Sequence, residues 1–157
     1  MSTIKDKNLA TIGQQEVDWA ARQMKVLEEI KTEFSSSKPL NGLNIGACMH
    51  VTKETANLML TLKAAGANVA LCASNPLSTK DSVAAYLSEN DIEVHAVHGV
   101  SNEDFFKHLN SVLDTNPDIT MDDGADLVTL LLTDRADIPI MGSMEETTTG
   151  VIRLKSM

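Results

Sequence analysis

Clusters of basic residues, long apolar runs and metal-binding cysteine motifs are all missing from this sequence of 157 residues. It carries 13 Lys and Arg residues against 22 Asp and Glu residues, for a net charge of −9, and so offers little attraction to a nucleic-acid backbone. No apolar run approaches the roughly 20 residues needed to cross a bilayer, and the polar first residues lack the apolar core of a signal peptide. We therefore expect a cytoplasmic protein that binds a small molecule, with neither nucleic acid nor membrane as a partner.

Only two cysteines are present, Cys48 and Cys72, and both lie inside apolar segments at a spacing that matches neither metal-ligand nor redox motifs. We expect both to be buried, reduced thiols, which agrees with a cytosolic protein. His50 has no second His or Cys at ligand spacing, so we expect no metal site.

Hydrophobic patterning predicts strands that alternate with helices. An amphipathic helix over residues 14–34 comes first, and turn formers at 35–42 separate it from an apolar strand at 43–49. The elements that follow are helix 52–65, strand 68–73, helix 79–89, strand 93–97, helix 102–113, strand 119–121, a helix near 126–133, strand 138–144 and a terminal helix from Thr147. This order predicts an α/β fold in one domain: a three-layer, Rossmann-like parallel sheet with helices on both faces, preceded by an N-terminal helix.

The first turn from strand to helix, over residues 45–51, lacks the glycine spacing that lets a backbone approach a pyrophosphate. We therefore do not expect this domain to bind a dinucleotide in the usual way.

Polar residues follow four of the five predicted strands, at the carboxyl ends where open α/β sheets bind their ligands. They are His50, Thr52 and Glu54 after the first strand, Asn75 after the second, Asp122 and Asp123 after the fourth, and Glu145, Glu146, Thr147, Thr148 and Thr149 after the fifth. Carboxylates, hydroxyls, an imidazole and an amide suit a polyhydroxylated neutral ligand such as a nucleoside better than a phosphate.

Each of these residues also has a purely structural interpretation. His50 and Glu54 stand four apart, so they could pair on one helix face. Capping the next helix could be the sole role of Asp122, and the loop residues Ser74 and Ser78 are ordinary turn formers. A helix N-cap uses one hydroxyl of the Thr147–Thr149 triplet, which leaves two hydroxyls and the free N–H groups of that helix for a ligand.

Six sequence blocks, taken together, resemble the S-adenosylhomocysteine hydrolase (adenosylhomocysteinase) family over residues 9–154. They appear in the family's order as Ile12-Gly13, Ser37-Lys38-Pro39-Leu40-Asn41-Gly42, His50-Val51-Thr52-Lys53-Glu54-Thr55, Asn75-Pro76-Leu77-Ser78-Thr79, Asp122-Asp123-Gly124-Ala125-Asp126-Leu127 and Glu145-Glu146-Thr147-Thr148-Thr149-Gly150-Val151. The Asn-Pro-Leu-Ser-Thr block is similar to the archaeal and bacterial branch of the family.

This resemblance implies that residues 1–157 are most of the substrate-binding domain of a two-domain NAD enzyme, with the NAD-binding domain absent from this chain. Family members reversibly hydrolyse S-adenosylhomocysteine to adenosine and homocysteine in the methyl cycle. Their bound NAD oxidises the ribose 3′-hydroxyl, and the full-length proteins form homo-oligomers. We therefore expect the chain to be inactive on its own.

Residue by residue, the resemblance implies that His50 and Asp123 assist proton transfer near the 5′ carbon. Glu146 matches the carboxylate that orients the ribose hydroxyls. The residues matched to substrate binding are Thr52, Glu54 and Asn75, together with Asp123 and Glu146, and Glu54 would face the edge of the base. The triplet of Thr147, Thr148 and Thr149 matches the residues that contact NAD from the substrate side.

The sequence departs from the family in two respects. The chain ends before the family's lysine and Asp-Asn segment and before its NAD-binding glycine loop, and Lys80 stands where glutamine is common, which we interpret as a change at the surface or behind the site. Two alternatives stay open: a hydrolase of S-inosylhomocysteine, and a non-catalytic nucleoside-binding module.

Overall fold

The computed structural model describes all 157 residues. Its strands are β1 (Asn44–Cys48), β2 (Asn68–Cys72), β3 (Glu93–His95), β4 (Ile119–Asp122) and β5 (Gly142–Glu145). Its helices are α1 (Ala10–Ala21), α2 (Lys25–Ser37), α3 (Lys53–Ala64), α4 (Asp81–Glu89), α5 (Asn102–Leu113), α6 (Asp126–Leu132) and α7 (Thr148–Ser156), and a short 3₁₀ turn at Lys7–Leu9 precedes them. The strands form one parallel sheet in the order β3-β2-β1-β4-β5, so the predicted α/β fold is confirmed.

Helices cover both faces of this sheet, because a parallel sheet buries both of its faces. Helices α1, α3 and α4 pack on one face around Leu71 and Met59, and α5 and α6 pack on the other around Leu109 and Leu127. Cys48 and Cys72 are buried in this second layer as free thiols, as predicted. None of the helices is both long enough and apolar enough to span a membrane.

The opening helix of the prediction is wrong, because the chain folds into two helices that separate at residues 22–24. Helix α1 buries Val17 and Ala20 in contact with α3 and α4, whereas α2 has no fully buried residue and packs mainly on α3. Neither Gly nor Pro marks the break. The two helices diverge because their apolar residues face different surfaces, and hydrophobic periodicity alone could not reveal that.

The fifth strand also differs from its prediction, since it begins at Gly142 rather than at residue 138. Pro139 has no N–H group to donate to the neighbouring strand β4, and the hydrogen bonds to that side begin at Met141, whose N–H donates to the carbonyl of Asp118 at 2.8 Å. Ile138 instead packs in the layer of α5 and α6. Strand β5 is an edge of the sheet, and its residues are largely exposed.

At the opposite edge, the N-terminal segment contacts β3. The Thr3 N–H donates to the carbonyl of Val94 at 2.8 Å, and the Ala96 N–H donates to the carbonyl of Thr3 at 3.0 Å, which makes an isolated parallel bridge between Thr3 and His95. The predicted strand 93–97 is shorter in the structure, because its pairing with β2 ends where Cys72, the last residue of β2, lies opposite His95.

Candidate functional site

His50 and Asp123 meet at the carboxyl edge of the sheet. Strands β1 and β4 are neighbours with Cys48 opposite Asp122, and the Asp123 N–H donates to the carbonyl of Cys48 at 2.9 Å. This register places His50 Nε2 3.2 Å from Asp123 Oδ2. Both side chains reach solvent, with 53% of His50 and 25% of Asp123 exposed, so a ligand could touch them. An imidazole and a carboxylate at this distance can exchange a proton and act in turn as acid and base.

The neighbouring acid, Asp122, has a structural role. Its side chain is 1% exposed and accepts hydrogen bonds from the N–H groups of Leu127 and Val128, at 3.0 and 2.9 Å, at the start of α6. Burial raises the pKa of Asp122 to about 6, although the two N–H donors act in the opposite direction. This geometry agrees with the capping interpretation of Asp122.

Glu145, at the end of β5, joins the two loops of the site. Its carboxylate accepts hydrogen bonds from the N–H groups of Gly124 at 3.0 Å, Ala125 at 2.8 Å and Thr147 at 2.9 Å. Gly150 packs against the same carboxylate, and any side chain at that position would overlap it. The sequence pattern alone gives no reason to assign different roles to Glu145 and Glu146. The strand register gives one, because it pairs Glu145 with the buried Asp122.

Glu146, one residue further, is exposed. Its N–H donates to the carbonyl of Asp122 at 2.9 Å, which fixes its backbone, while its side chain makes no protein hydrogen bond. The pKa of Glu146 is raised, first by partial burial and then by the negative charges of Asp123 and Glu145. The free carboxylate is therefore available to a ligand.

A cavity of about 630 Å³ lies between α2, the start of α3 and Glu146. This volume falls within the roughly 300–1,000 Å³ typical of small-molecule sites. Glu54 and Thr55 border the cavity on the α3 side, and its apolar lining residues are Met24, Val26, Leu27, Ile30, Met49 and Leu58. The apolar spacing of these α2 residues predicted that they share one face of a helix. It did not reveal that this face lines a cavity.

Thr52 and Glu54 occupy the N-terminus of α3, beside His50. Thr52 is the N-cap and accepts a hydrogen bond from the Thr55 N–H at 3.3 Å, while the Glu54 side chain is 52% exposed. Lys53, between them, places its ammonium group 3.9 Å from the centre of the Trp19 ring. Of the two predicted substrate contacts, Glu54 borders the 630 Å³ cavity and Thr52 does not.

Asn75 makes its side-chain hydrogen bond within its own loop and none to His50 or Asp123. Its side-chain oxygen accepts from the Leu77 N–H at 3.0 Å within the loop after β2, and Asn75 does not line the cavity of Glu54 and Glu146. Its assignment as a substrate contact stays a prediction. Ser74 and Ser78 bond to each other at 3.4 Å in the same turn, as their structural interpretation predicts.

The threonine triplet begins α7. Thr147 is the N-cap and accepts from the Thr149 N–H at 3.3 Å, whereas the side chains of Thr148 and Thr149 are exposed. One hydroxyl thus caps the helix and two hydroxyls are available for other contacts.

Comparison with known proteins identifies the family. The sequence model of a family described as S-adenosyl-L-homocysteine hydrolase matches residues 1–139. The chain belongs to this family.

Similar proteins include the S-inosyl-L-homocysteine hydrolase of Methanococcus maripaludis, which is 50% identical over 100% of this chain. The adenosylhomocysteinases of Aquifex aeolicus and Pyrococcus abyssi are 50% and 47% identical over 98% of it. These relatives are archaeal and bacterial, as the Asn-Pro-Leu-Ser-Thr block predicted. The chain spans only 37–38% of the length of these three hydrolase-family proteins.

The NAD that this hydrolase family implies is compatible with the residues at α7. Thr148 and Thr149 present exposed hydroxyls beside the free N–H groups of a helix of nine residues. Hydroxyl and N–H donors at a helix N-terminus suit the polar and anionic atoms of a dinucleotide. These residues form only a small contact surface, which fits one side of a cofactor rather than a complete binding site.

Proposed function

We propose that residues 1–157 form the substrate-binding domain of an adenosylhomocysteinase, an enzyme that reversibly hydrolyses S-adenosyl-L-homocysteine to adenosine and L-homocysteine with bound NAD in the cytoplasmic methyl cycle. The observation that carries the proposal is the His50–Asp123 pair, 3.2 Å apart, at the edge of the sheet that also presents Glu54 and Glu146. Acid-base groups beside a cavity of nucleoside size are what such a reaction requires.

We propose that the nucleoside binds in the 630 Å³ cavity. Its base would lie against the apolar side chains of α2, such as Leu27 and Ile30, with Glu54 at the polar edge of the ring. Its ribose would lie at Glu146, whose unpaired carboxylate can accept hydrogen bonds from two hydroxyls. The 5′ carbon would then point towards His50 and Asp123.

His50 and Asp123 would hold and return protons at the 5′ carbon as the thioether leaves and water adds. The resemblance assigns this step, and the geometry supports it because one imidazole nitrogen and one carboxylate oxygen share a proton position. A correctly placed acid or base contributes roughly 10²–10⁴-fold to such a rate.

NAD, when bound, supplies the reversible oxidation of the ribose 3′-hydroxyl. The residues of this chain that would contact it are Thr147, Thr148 and Thr149, through hydroxyl and N–H groups. We assign the principal NAD-binding domain to the part of the relatives' length that this chain does not span. We assign homo-oligomer formation to that part as well.

Binding of adenosine to the 157-residue chain, followed by amide NMR shifts, tests the proposal. Adenosine should shift the amides of Leu27, Glu54 and Glu146, and Glu146→Ala should weaken binding about tenfold because hydrogen bonds to a charged group are lost. Lys155→Ala, on the exposed end of α7, is the matched control and should bind as the parent does. Absence of shifts in the parent chain contradicts the proposal.

Turnover is the second readout of the same proposal. With NAD and S-adenosylhomocysteine added, the purified chain should form no adenosine, because we assign most of the NAD contacts and the polarisation of the 3′-hydroxyl to the part of the relatives' length that these 157 residues do not span. Measurable turnover would overturn the placement of those functions outside this chain.

Hydrolysis of S-inosylhomocysteine is a second candidate, favoured by the name of the Methanococcus relative, 50% identical over the whole chain. The two substrates differ at position 6 of the base, where a donor amine is replaced by an acceptor oxygen. The Glu54 carboxylate only accepts hydrogen bonds; we place it at position 6 rather than at N1, whose proton in the inosyl base it could also accept, so adenosine should bind more tightly than inosine. Tighter binding of inosine would select the second candidate.

A further inference from the structure

Ala125, two residues after Asp123, has a strained backbone. Its φ angle is +62°, and it is the N-cap residue of α6. A residue with a β carbon adopts this left-handed conformation only at a cost in free energy, which glycine avoids. Ala125 is fully buried, whereas the other non-glycine residues with positive φ are exposed; they are Lys38, Asp91 and Asn116. Strain of this kind persists only where the surrounding contacts enforce it.

Two charged side chains hold the peptide bond between Gly124 and Ala125, the strained peptide of this loop. Its N–H group, on Ala125, donates to Glu145 Oε2 at 2.8 Å, and its carbonyl, on Gly124, accepts from Arg153 Nη1 at 2.9 Å. The same Arg153 nitrogen donates to Asp126 Oδ1 at 2.7 Å. The strained peptide therefore cannot rotate without losing two charge-assisted hydrogen bonds.

Rotation of the strained peptide by half a turn would relieve the strain at Ala125, because it would carry φ from the left-handed region to negative values. Gly124, with a φ of +128°, has no side chain to oppose the change. The rotated peptide would turn its carbonyl towards the Glu145 carboxylate, and the two oxygens would repel each other. The backbone preference of Ala125 and the two charged side chains thus act in opposite directions.

Arg153 lies on α7, the helix that follows Glu146 and the threonine triplet, and no step of the proposed reaction uses it. Its side chain is 42% exposed, so its ion pair with Asp126 alone would stabilise the fold little. Its bond to the Gly124 carbonyl has a different effect, because it acts on a strained peptide that begins one residue after Asp123.

We propose that Arg153 is a positioning residue for the proposed reaction. Together with Glu145, it keeps the strained peptide from rotating and so holds the Asp123 carboxylate 3.2 Å from His50 Nε2. The Asp123 N–H is fixed on its other side by the Cys48 carbonyl. The inference rests on the proposed function, because Arg153 has no contact with the substrate and acts only through the His50–Asp123 pair.

Two nucleosides measure the position of Asp123 separately from the rest of the site. Adenosine carries at its 5′ carbon the hydroxyl that the added water supplies, where we place Asp123, whereas 5′-deoxyadenosine lacks this hydroxyl. Adenosine should therefore bind to the 157-residue chain several-fold more tightly, because a hydrogen bond to a charged group is added. Titration calorimetry gives both affinities. Equal affinities would overturn the inference, while binding itself would still support the proposed function.

Arg153→Met removes both hydrogen bonds of the guanidinium and keeps an unbranched side chain. It should lower the ratio of the adenosine affinity to the 5′-deoxyadenosine affinity several-fold, with the 5′-deoxyadenosine affinity unchanged. Lys155→Met removes a charge from the same helix and is the matched control, so it should keep the ratio of the parent. An unchanged ratio in Arg153→Met would contradict the inference.

Ala125→Gly tests the strain itself. Glycine adopts the left-handed conformation readily, so the strained peptide should stay in place even without the guanidinium. The double variant Arg153→Met with Ala125→Gly should therefore recover most of the affinity ratio. Loss of a buried methyl group could not restore the ratio if Arg153 only added general stability. A double variant that behaves as Arg153→Met alone would overturn the inference.

Amide hydrogen exchange follows the loop without any ligand. In Arg153→Met, the Ala125 N–H should exchange several-fold faster, whereas the N–H groups of Leu127 and Val128, which Asp122 holds, should keep their rates. Equal acceleration at all three amides would mean that Arg153 supports the whole fold, and the inference would fail. If the parent chain binds neither nucleoside, the proposed function fails and the inference fails with it.

Discussion

Two pairs of adjacent acids, Asp122-Asp123 and Glu145-Glu146, lie at the ends of the neighbouring strands β4 and β5. In both pairs, the first acid and the second acid have different roles. The first acid of each pair turns back into the protein and accepts backbone N–H groups, whereas the second is open to a ligand. The register pairs Asp122 with Glu145, so the two structural acids stand side by side and so do the two open ones. The carboxylates of Asp122 and Glu145 thus fix the loops from which Asp123 and Glu146 reach the ligand site.

The largest expected effect comes from removing a structural acid. Glu145→Ala leaves three backbone N–H groups without an acceptor, and we expect it to lower the free energy of unfolding by about 3–5 kcal/mol. Glu146→Ala, the adjacent acid, should change it by less than about 0.5 kcal/mol. Denaturant unfolding of both variants measures the difference, and equal losses would mean that the two acids do not divide their roles in this way.

A smaller effect should appear in the pH dependence of stability, through Asp122. Its pKa rises from 3.8 to about 6 on folding, so the folded state binds more protons between these values. The stability from this group is fully present below the unfolded pKa and is lost as pH rises through about 6. Between about pH 4 and pH 7 the parent should therefore lose up to about 3 kcal/mol relative to Asp122→Asn. Parallel curves for parent and variant would contradict this account of Asp122.

The smallest effect concerns the open acid of the second pair. The raised pKa of Glu146 means that its carboxylate loses its charge at a higher pH than an ordinary glutamate. Adenosine affinity should fall several-fold as pH falls through that pKa, because a charged acceptor for the ribose is lost. Titration calorimetry of the parent against Glu146→Gln measures this, and the variant should show a flat profile. The same decline in both chains would assign the effect to another group.

Much of the fold and of this edge of the sheet could be predicted, because short apolar runs bounded by polar clusters mark parallel strands and their carboxyl ends. The meeting of His50 and Asp123 follows from the strand order, which right-handed crossovers restrict. Three features do not follow from the sequence pattern itself, and the second of them, the choice of Glu146, came only from the family resemblance. The break between α1 and α2 carries no Gly or Pro, the choice between Glu145 and Glu146 depends on strand register, and the apolar wall of α2 resembles any helix face that packs on a core.

The contrast between the two edges of the sheet has a consequence for how the chain behaves at high concentration. Thr3 occupies part of the hydrogen-bonding edge of β3, whereas the outer N–H and C=O groups of β5 face no strand. An open strand edge is a template for a further strand. Self-association of this chain, where it occurs, should therefore begin at β5, and a lysine in place of the exposed Met144 would be the first substitution to improve solubility.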